Sequence, residues 1–139
     1  MRKFLGESFA ITYPPDWRED AGEEDLTLVR EGVPAAITIS TYRHSDRNFQ
    51  VDALRQCELF VTQKGASPEI ATQTRGGGAE ASFTDQAGCH WIVRIVATKN
   101  WFALATYNSD RKDEVGESQA REILASLQHR TPHERSHRD

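Results

Sequence analysis

Only two cysteines, Cys57 and Cys89, and a single methionine occur in the 139 residues. That is too few for the multi-bridge framework of a disulfide-stapled domain. With no export signal, two buried thiols are expected rather than a disulfide. Long hydrophobic runs are missing as well: none approaches the ~20 residues of a membrane-spanning helix. The start, MRKFLGESFAI, has Arg2 and Lys3 but lacks the apolar h-region of a secretory signal. A cytoplasmic protein is therefore expected, or one whose leader has been removed. Nor is there a basic excess. A net charge of −4 and a pI near 5.7 lack the positive stripe that general nucleic-acid binding requires.

What is present is enough for one folded domain. Leu, Ile, Val and Phe number 28, about a fifth of the chain, a level at which folding still holds when net charge is this low. None of the 28 follows Leu127. The core is therefore expected within residues 1–128, with HRTPHERSHRD at 129–139 as a disordered tail.

Periodicity gives an element order. Phe9, Ile11 and Tyr13 alternate in a strand that Pro14 and Pro15 end. Strands follow at 26–31 and 35–42, the second with Ile37 and Ile39 inward, joined by Gly32-Val33-Pro34. Residues 49–64 carry a helical stripe of Ala53, Leu54, Cys57, Phe60 and Val61, with Asn48 to cap it and Gly65 to close it. Three more strands read as a meander at 79–84, 89–98 and 101–107, turning at Asp85–Gly88 and Lys99-Asn100. The strands at 89–98 and 101–107 are nearly apolar on both faces, as central strands are. Ala120, Ile123, Leu124 and Leu127 mark a last helix over 112–128, capped by Asp110 or Asp113, with Gly116 a weak spot. The order β-β-β-α-β-β-β-α predicts an α+β fold with a six-stranded, mostly antiparallel sheet flanked by helices.

YPPDW, the AEASF strand after Gly76-Gly77-Gly78, the Trp inside CHWIVRIVAT, WFALATYNS and the closing ILASLQ lie in that order over about residues 4–128. This pattern resembles the PsbP-like superfamily, which includes the photosystem extrinsic protein and the Mog-type Ran-binding proteins, and the bacterial relatives of that fold. The resemblance implies an α/β/α sandwich and a non-enzymatic role as a binding or assembly factor, without a cofactor. It carries fold and class to this chain, and no partner.

Candidate sites are read against structural alternatives. Trp17, just past the double proline, is either a clamp under a helix or an exposed docking residue, and a clamp is expected. Glu19, Asp20, Glu23, Glu24 and Asp25 can meet a basic partner or a hard cation, but lack EF-hand spacing and read as a solvated loop. Tyr42-Arg43-His44-Ser45-Asp46-Arg47 is a basic, aromatic segment that can complement an acidic partner through Arg43, His44 and Arg47, or be plain loop. His90 and Arg94 share a strand face. Arg94 can anchor a ligand carboxylate, or form an internal ion pair. His129, His133 and His137 are spaced by four, but Pro132 breaks any helix and nearby arginines repel a cation, so no metal site is expected.

No catalytic pattern stands out. There is no G-x-S-x-G elbow, the three glycines lack the Lys of a P-loop, and Cys89 and His90 fall on opposite strand faces. The reading is a non-enzymatic protein-binding module with an assembly or chaperone-like role. It would use the acidic loop, the 42–47 loop and an open sheet edge, which also makes a homodimer possible. The alternative is a small-ligand binder or enzyme with a pocket near His90 and Arg94.

Overall fold

The computed structural model describes residues 1–20, 22 and 24–130. Their elements are β1 (Arg2–Leu5), β2 (Phe9–Tyr13), β3 (Trp17–Asp20), β4 (Leu26–Arg30), β5 (Ala35–Arg43), α1 (Ala53–Gln63), a 3-10 turn at Pro68–Ile70, β6 (Thr72–Gln73), β7 (Ala79–Thr84), β8 (His90–Thr98), β9 (Trp101–Ser109), α2 (Glu114–Ala125) and β10 (Gln128–His129). They build a mixed α+β fold with two antiparallel sheets. The larger has seven strands in the order β3-β4-β5-β9-β8-β7-β6, and the smaller has three, β1-β2-β10.

The expected single six-stranded sheet is thus corrected, and Pro14-Pro15 is the reason. Trp17 N–H donates to the Pro14 carbonyl at 3.1 Å, closing a turn. That turn takes the chain out of the small sheet after Tyr13 and sets Trp17 opposite Arg30 at the edge of the large one. Glu19 and Asp20, expected in the acidic loop, therefore belong to strand β3. Its sequence hides this, because Trp17 alone among the four is buried.

Alternation sorts the large sheet into two faces. Ile37, Ile39, Ile92, Ala103, Ala105 and Tyr107 face one core, which the small sheet and α2 close with Phe9, Ile11, Ile123 and Leu124. Val93, Ile95, Ala79 and Ala81 face the other, which α1 closes with Ala53, Cys57 and Val61. Cys57 is buried and Cys89 half-buried, both as free thiols, so burial of both is corrected. Burial pushes the Cys57 thiol up to about 11.

Helix α1 starts later than the 49–64 stripe suggests. The Asn48 N–H is taken by the Asp46 carboxylate, and Asp52 caps instead by accepting from Arg55 N–H. Of the two candidates for α2, Asp113 is the cap. Another correction concerns the tail. His129 pairs with Phe9 across the small sheet, and Arg130 donates to the carbonyls of Ser8 and Gly6. Backbone bonds on an existing edge order these residues without any apolar side chain. His133 and His137 lie outside the described residues.

Trp17 is fully buried. Its indole N–H donates to Gln119 Oε1 at 2.9 Å, the Tyr107 ring meets it edge-on at 6.4 Å, and the Arg30 guanidinium lies 5.8 Å from its centroid. Its proposed docking role is therefore corrected in favour of the clamp. Arg30 in turn donates to Asp113 Oδ2 at 2.8 Å, while Asp113 Oδ1 caps α2 at the Gly116 N–H. Gly116, read as a weak spot, is needed here: a Cβ would land on Asp113 Oδ2 and within 2.8 Å of Arg30 Nη1.

Two outcomes follow. In an ordinary helix, Gly→Ala stabilises by ~1 kcal/mol. Gly116→Ala should instead lower stability by roughly 1–2 kcal/mol, because it displaces the cap and its ion pair; the urea midpoint reads the sign. A thiol reagent should label Cys89 in the native protein and Cys57 only after denaturation. Equal native rates would contradict the burial of Cys57.

Candidate functional site

Helix α1 has 11 residues and packs on β7 and β8. It is therefore about 16 Å long and 10 Å wide. Seven strands at ~4.8 Å spacing make a sheet close to 30 Å across. One helix cannot cover that face. Beyond it lie Thr27 and Val29 of β4, and Ala36, Thr38, Ser40 and Tyr42 of β5, all half-buried or exposed.

Two clefts follow the flank of α1 over this region, of about 300 and 260 Å³. They share Tyr42, Phe60 and Leu104, and so form one groove. One end is apolar. Tyr42 stacks on its cross-strand partner Phe102 at 4.9 Å, beside Leu59 and Leu104. The other end has a hydroxyl floor, where Thr38 and Thr106 hydrogen-bond at 2.8 Å. Its wall is aromatic: Phe60 meets Trp91 edge-on, and the Lys64 ammonium lies 4.7 Å from the Trp91 ring. Tyr42 is 48 % exposed and Leu59 40 %, although both sit on regular elements.

Trp91 is fixed from below by Asp85, whose Oδ2 accepts its indole N–H at 2.8 Å. Asp85 Oδ1 also accepts from the amides of Ala87 and Cys89, and Gly88 (φ 88°) lets the turn close. The Trp91 hydrogen bond first, then the Cys89 amide, hold the Asp85 carboxyl below the usual carboxylate range.

Where β5 ends and β8 turns into β9 there is a separate cationic cleft, lined by Arg43, His44, Ser45, Arg47, Lys99 and Asn100. The loop there is tied to the β8–β9 turn. His44 N–H donates to Asn100 O, Asn100 Nδ2 to His44 O, and Val51 N–H to Lys99 O. His44 Nδ1 accepts from Asp46 N–H, so the neutral ring carries its proton on Nε2, and it stacks on Phe49 at 4.0 Å.

The structure thus brings Arg43, His44 and Arg47 together and adds Lys99, which the sequence marked only as a turn. It disperses the acidic group. Glu19 accepts from Tyr13 O–H, Asp20 lies 3.7 Å from Arg18, and Asp25 staples β5 by accepting from both Thr41 N–H and Thr41 Oγ1. Glu24 lines the groove, and Glu23 lies outside the described residues. Strand β3 is an edge whose charges, Arg18, Glu19 and Asp20, discourage pairing with another sheet.

His90 and Arg94 do not form one pocket. Arg94 Nη1 lies 3.3 Å from Glu80 Oε2, its neighbour across the sheet, so the ion pair joins β8 to β7. His90 bonds Thr84 and lines a separate cleft with Lys112 and Arg121. Among the described residues, no cluster of His, Cys, Asp or Glu could hold a metal ion, and no helix is long and apolar enough to cross a membrane.

The groove itself escaped sequence reading. Phe102 and Leu104 read as the second buried face of a central strand. The available signal was Thr38 and Ser40 opposite Ile37 and Ile39, which marks β5 as covered on one side only.

No protein-family model and no curated protein matches this chain. Among solved structures, it is similar to a protein from Bacteroides thetaiotaomicron VPI-5482 known from a crystal structure at 1.50 Å (TM-score 0.66, 23 % identity), over 94 % of this chain. The chain spans about half, 49 %, of that protein's length. At this identity the likeness is one of fold alone. A looser likeness, with a TM-score of 0.46 and 12 % identity over 94 % of this chain and 91 % of the other, links it to LpqN, involved in cell envelope biogenesis of Mycobacterium tuberculosis.

The Asp85–Trp91 contact predicts a pH dependence. A depressed carboxyl contributes stability above its unfolded value of ~3.9 and loses it as pH falls through the lower folded value. Asp85→Asn should therefore be less stable than the parent at pH 7, and the gap in urea midpoint should narrow below about pH 4. A gap independent of pH would detach the effect from the carboxylate.

Proposed function

We propose that this chain is a non-enzymatic, protein-binding module of PsbP-like build with an assembly or chaperone-like role. It receives a polypeptide segment in the groove between α1 and the uncovered sheet. One observation carries the reading: Tyr42, Phe102, Leu59, Phe60 and Leu104 stand together on regular elements, yet no other part of the described chain covers them. Exposed apolar clusters of this kind, rimmed by polar groups, mark interaction surfaces. The groove is long and open, whereas small-molecule sites are enclosed. Arg94, the residue on which a small-ligand pocket would depend, is committed to Glu80.

Selection from a displayed random-peptide library tests this reading, with the whole chain as bait. Recovered peptides should lose binding to the Tyr42→Asp, Leu59→Asp double variant. An exposed aromatic or aliphatic anchor contributes on the order of 1–2 kcal/mol, so the pair should cost about a hundredfold in Kd. Both residues are exposed, so the fold should persist by circular dichroism. Unchanged affinity in the double variant would remove the groove as the binding site.

A further inference from the structure

We infer that the cationic cleft beside the groove selects the partner: the segment bound is acidic next to its apolar residues. Its carboxylates enter between Arg43, Arg47 and Lys99 while its apolar side chains lie on Tyr42 and Phe102. This inference rests on the groove being the binding site.

Four observations carry it. The first is proximity at the end of the sheet. Arg47 lies in the connection from β5 to α1, the helix that walls the groove, and Lys99 lies in the turn that leads into β9 and Phe102; Arg43, opposite Trp101, reaches the cleft from the other side of β5. The second is that the charges are unanswered. Among the described residues, no carboxylate lies within ion-pair distance of Arg43, Arg47 or Lys99, although Arg18, Arg30, Arg94 and Arg111 all have partners. The acids nearest in sequence serve the backbone, Asp46 accepting from Asn48 N–H and Asp52 from Arg55 N–H.

The third observation is order. The backbone bonds from His44 to Asn100 and from Val51 to Lys99, with the His44–Phe49 stack, hold like charges together instead of letting them spread. Holding cations in one place raises the local potential and favours an anion there. The fourth is donor geometry. Guanidinium groups take carboxylates bidentately, and His44 Nε2–H and the Asn100 amide add neutral donors at the rim.

A carboxylate-bearing polypeptide fits better than the other polyanions. A nucleic-acid duplex presents a charge every ~1.7 Å and needs a basic track. Here the cations form one compact group on a chain of net charge −4. An anionic membrane would meet a groove whose far end is floored by Thr38 and Thr106 rather than by apolar side chains.

Two fluorescein-labelled probe peptides decide it by anisotropy. One has an aspartate–glutamate half and a leucine–phenylalanine half; the other replaces each acid with lysine. The acidic probe should bind roughly tenfold tighter at low salt, and the ratio should shrink as salt rises. Reversing Arg43, Arg47 and Lys99 to Glu should invert the preference. Arg47→Glu alone, in an exposed loop, should weaken acidic-probe binding severalfold, so the result does not hang on the folding of the triple variant. Equal affinity for both probes, lost in Tyr42→Asp, would overturn the charge inference and leave the groove standing. So would binding of library-selected peptides when neither probe binds. No binding by probes or library peptides would overturn both. Recruitment to phosphatidylserine vesicles without any probe preference would overturn it in favour of a lipid surface.

Discussion

The Asp113 carboxylate makes two commitments at once, and the packing of α2 depends on both. One oxygen caps the helix at Gly116 and the other takes the Arg30 guanidinium. Arg30 lies beside the Trp17 ring, and the Trp17 indole donates to Gln119 one turn further along the same helix. Gln119 also reaches back to the Asp16 carboxylate and holds that acid below its usual range. A cap, an ion pair and a buried indole thus join α2 to the strand edge where the chain enters the large sheet. Trp17, Arg30, Asp113, Gly116 and Gln119 are all half-buried or buried, Asp16 alone being exposed, so losing one of these five strands another away from water, which is where large single-residue effects arise.

The other face is built more sparingly, and the candidate site follows from that difference. The small sheet and α2 together close one side of β5 and β9. On the opposite side α1 is alone, and the length of a helix set against the width of a sheet leaves part of that side open. Side-chain choice along β5 and β9 agrees with the opening. On this side Thr38 and Ser40 of β5 and Thr106 of β9 present hydroxyls, and Tyr42 and Phe102 stack at the rim. The unpaired cations come from the end of β5 (Arg43), the connection from β5 to α1 (Arg47) and the β8–β9 turn (Lys99), so they gather at one end of the sheet for a topological reason.

Much of the fold was legible in the chain. Strands with a strong period of two, such as 35–43, 79–84 and 101–109, and both helices could be read because one buried face repeats in each. Segments of two to four residues could not. Arg2–Leu5, Thr72–Gln73 and Gln128–His129 bury almost nothing of their own, and Trp17–Asp20 buries Trp17 alone; they show no repeating buried face and are strands because a neighbouring edge accepts their backbone bonds. Of the site, Arg43, His44 and Arg47 could be seen, being close in sequence. Lys99, Phe102 and Leu59 join them from distant positions.

By itself, then, the amino-acid sequence determined local matters: where alternation makes strands, where the helices run, that Trp17 is a clamp, and that residues 42–47 are basic and aromatic. Those are decided by period, propensity and the few residues around each position. Tertiary structure alone decided that the first strand pair leaves the main sheet, that the acidic run is divided among structural tasks, and that one face of β5 stays open beside a cluster of unpaired cations. These depend on which element covers which, a competition for buried area among segments far apart in the chain that no local pattern records.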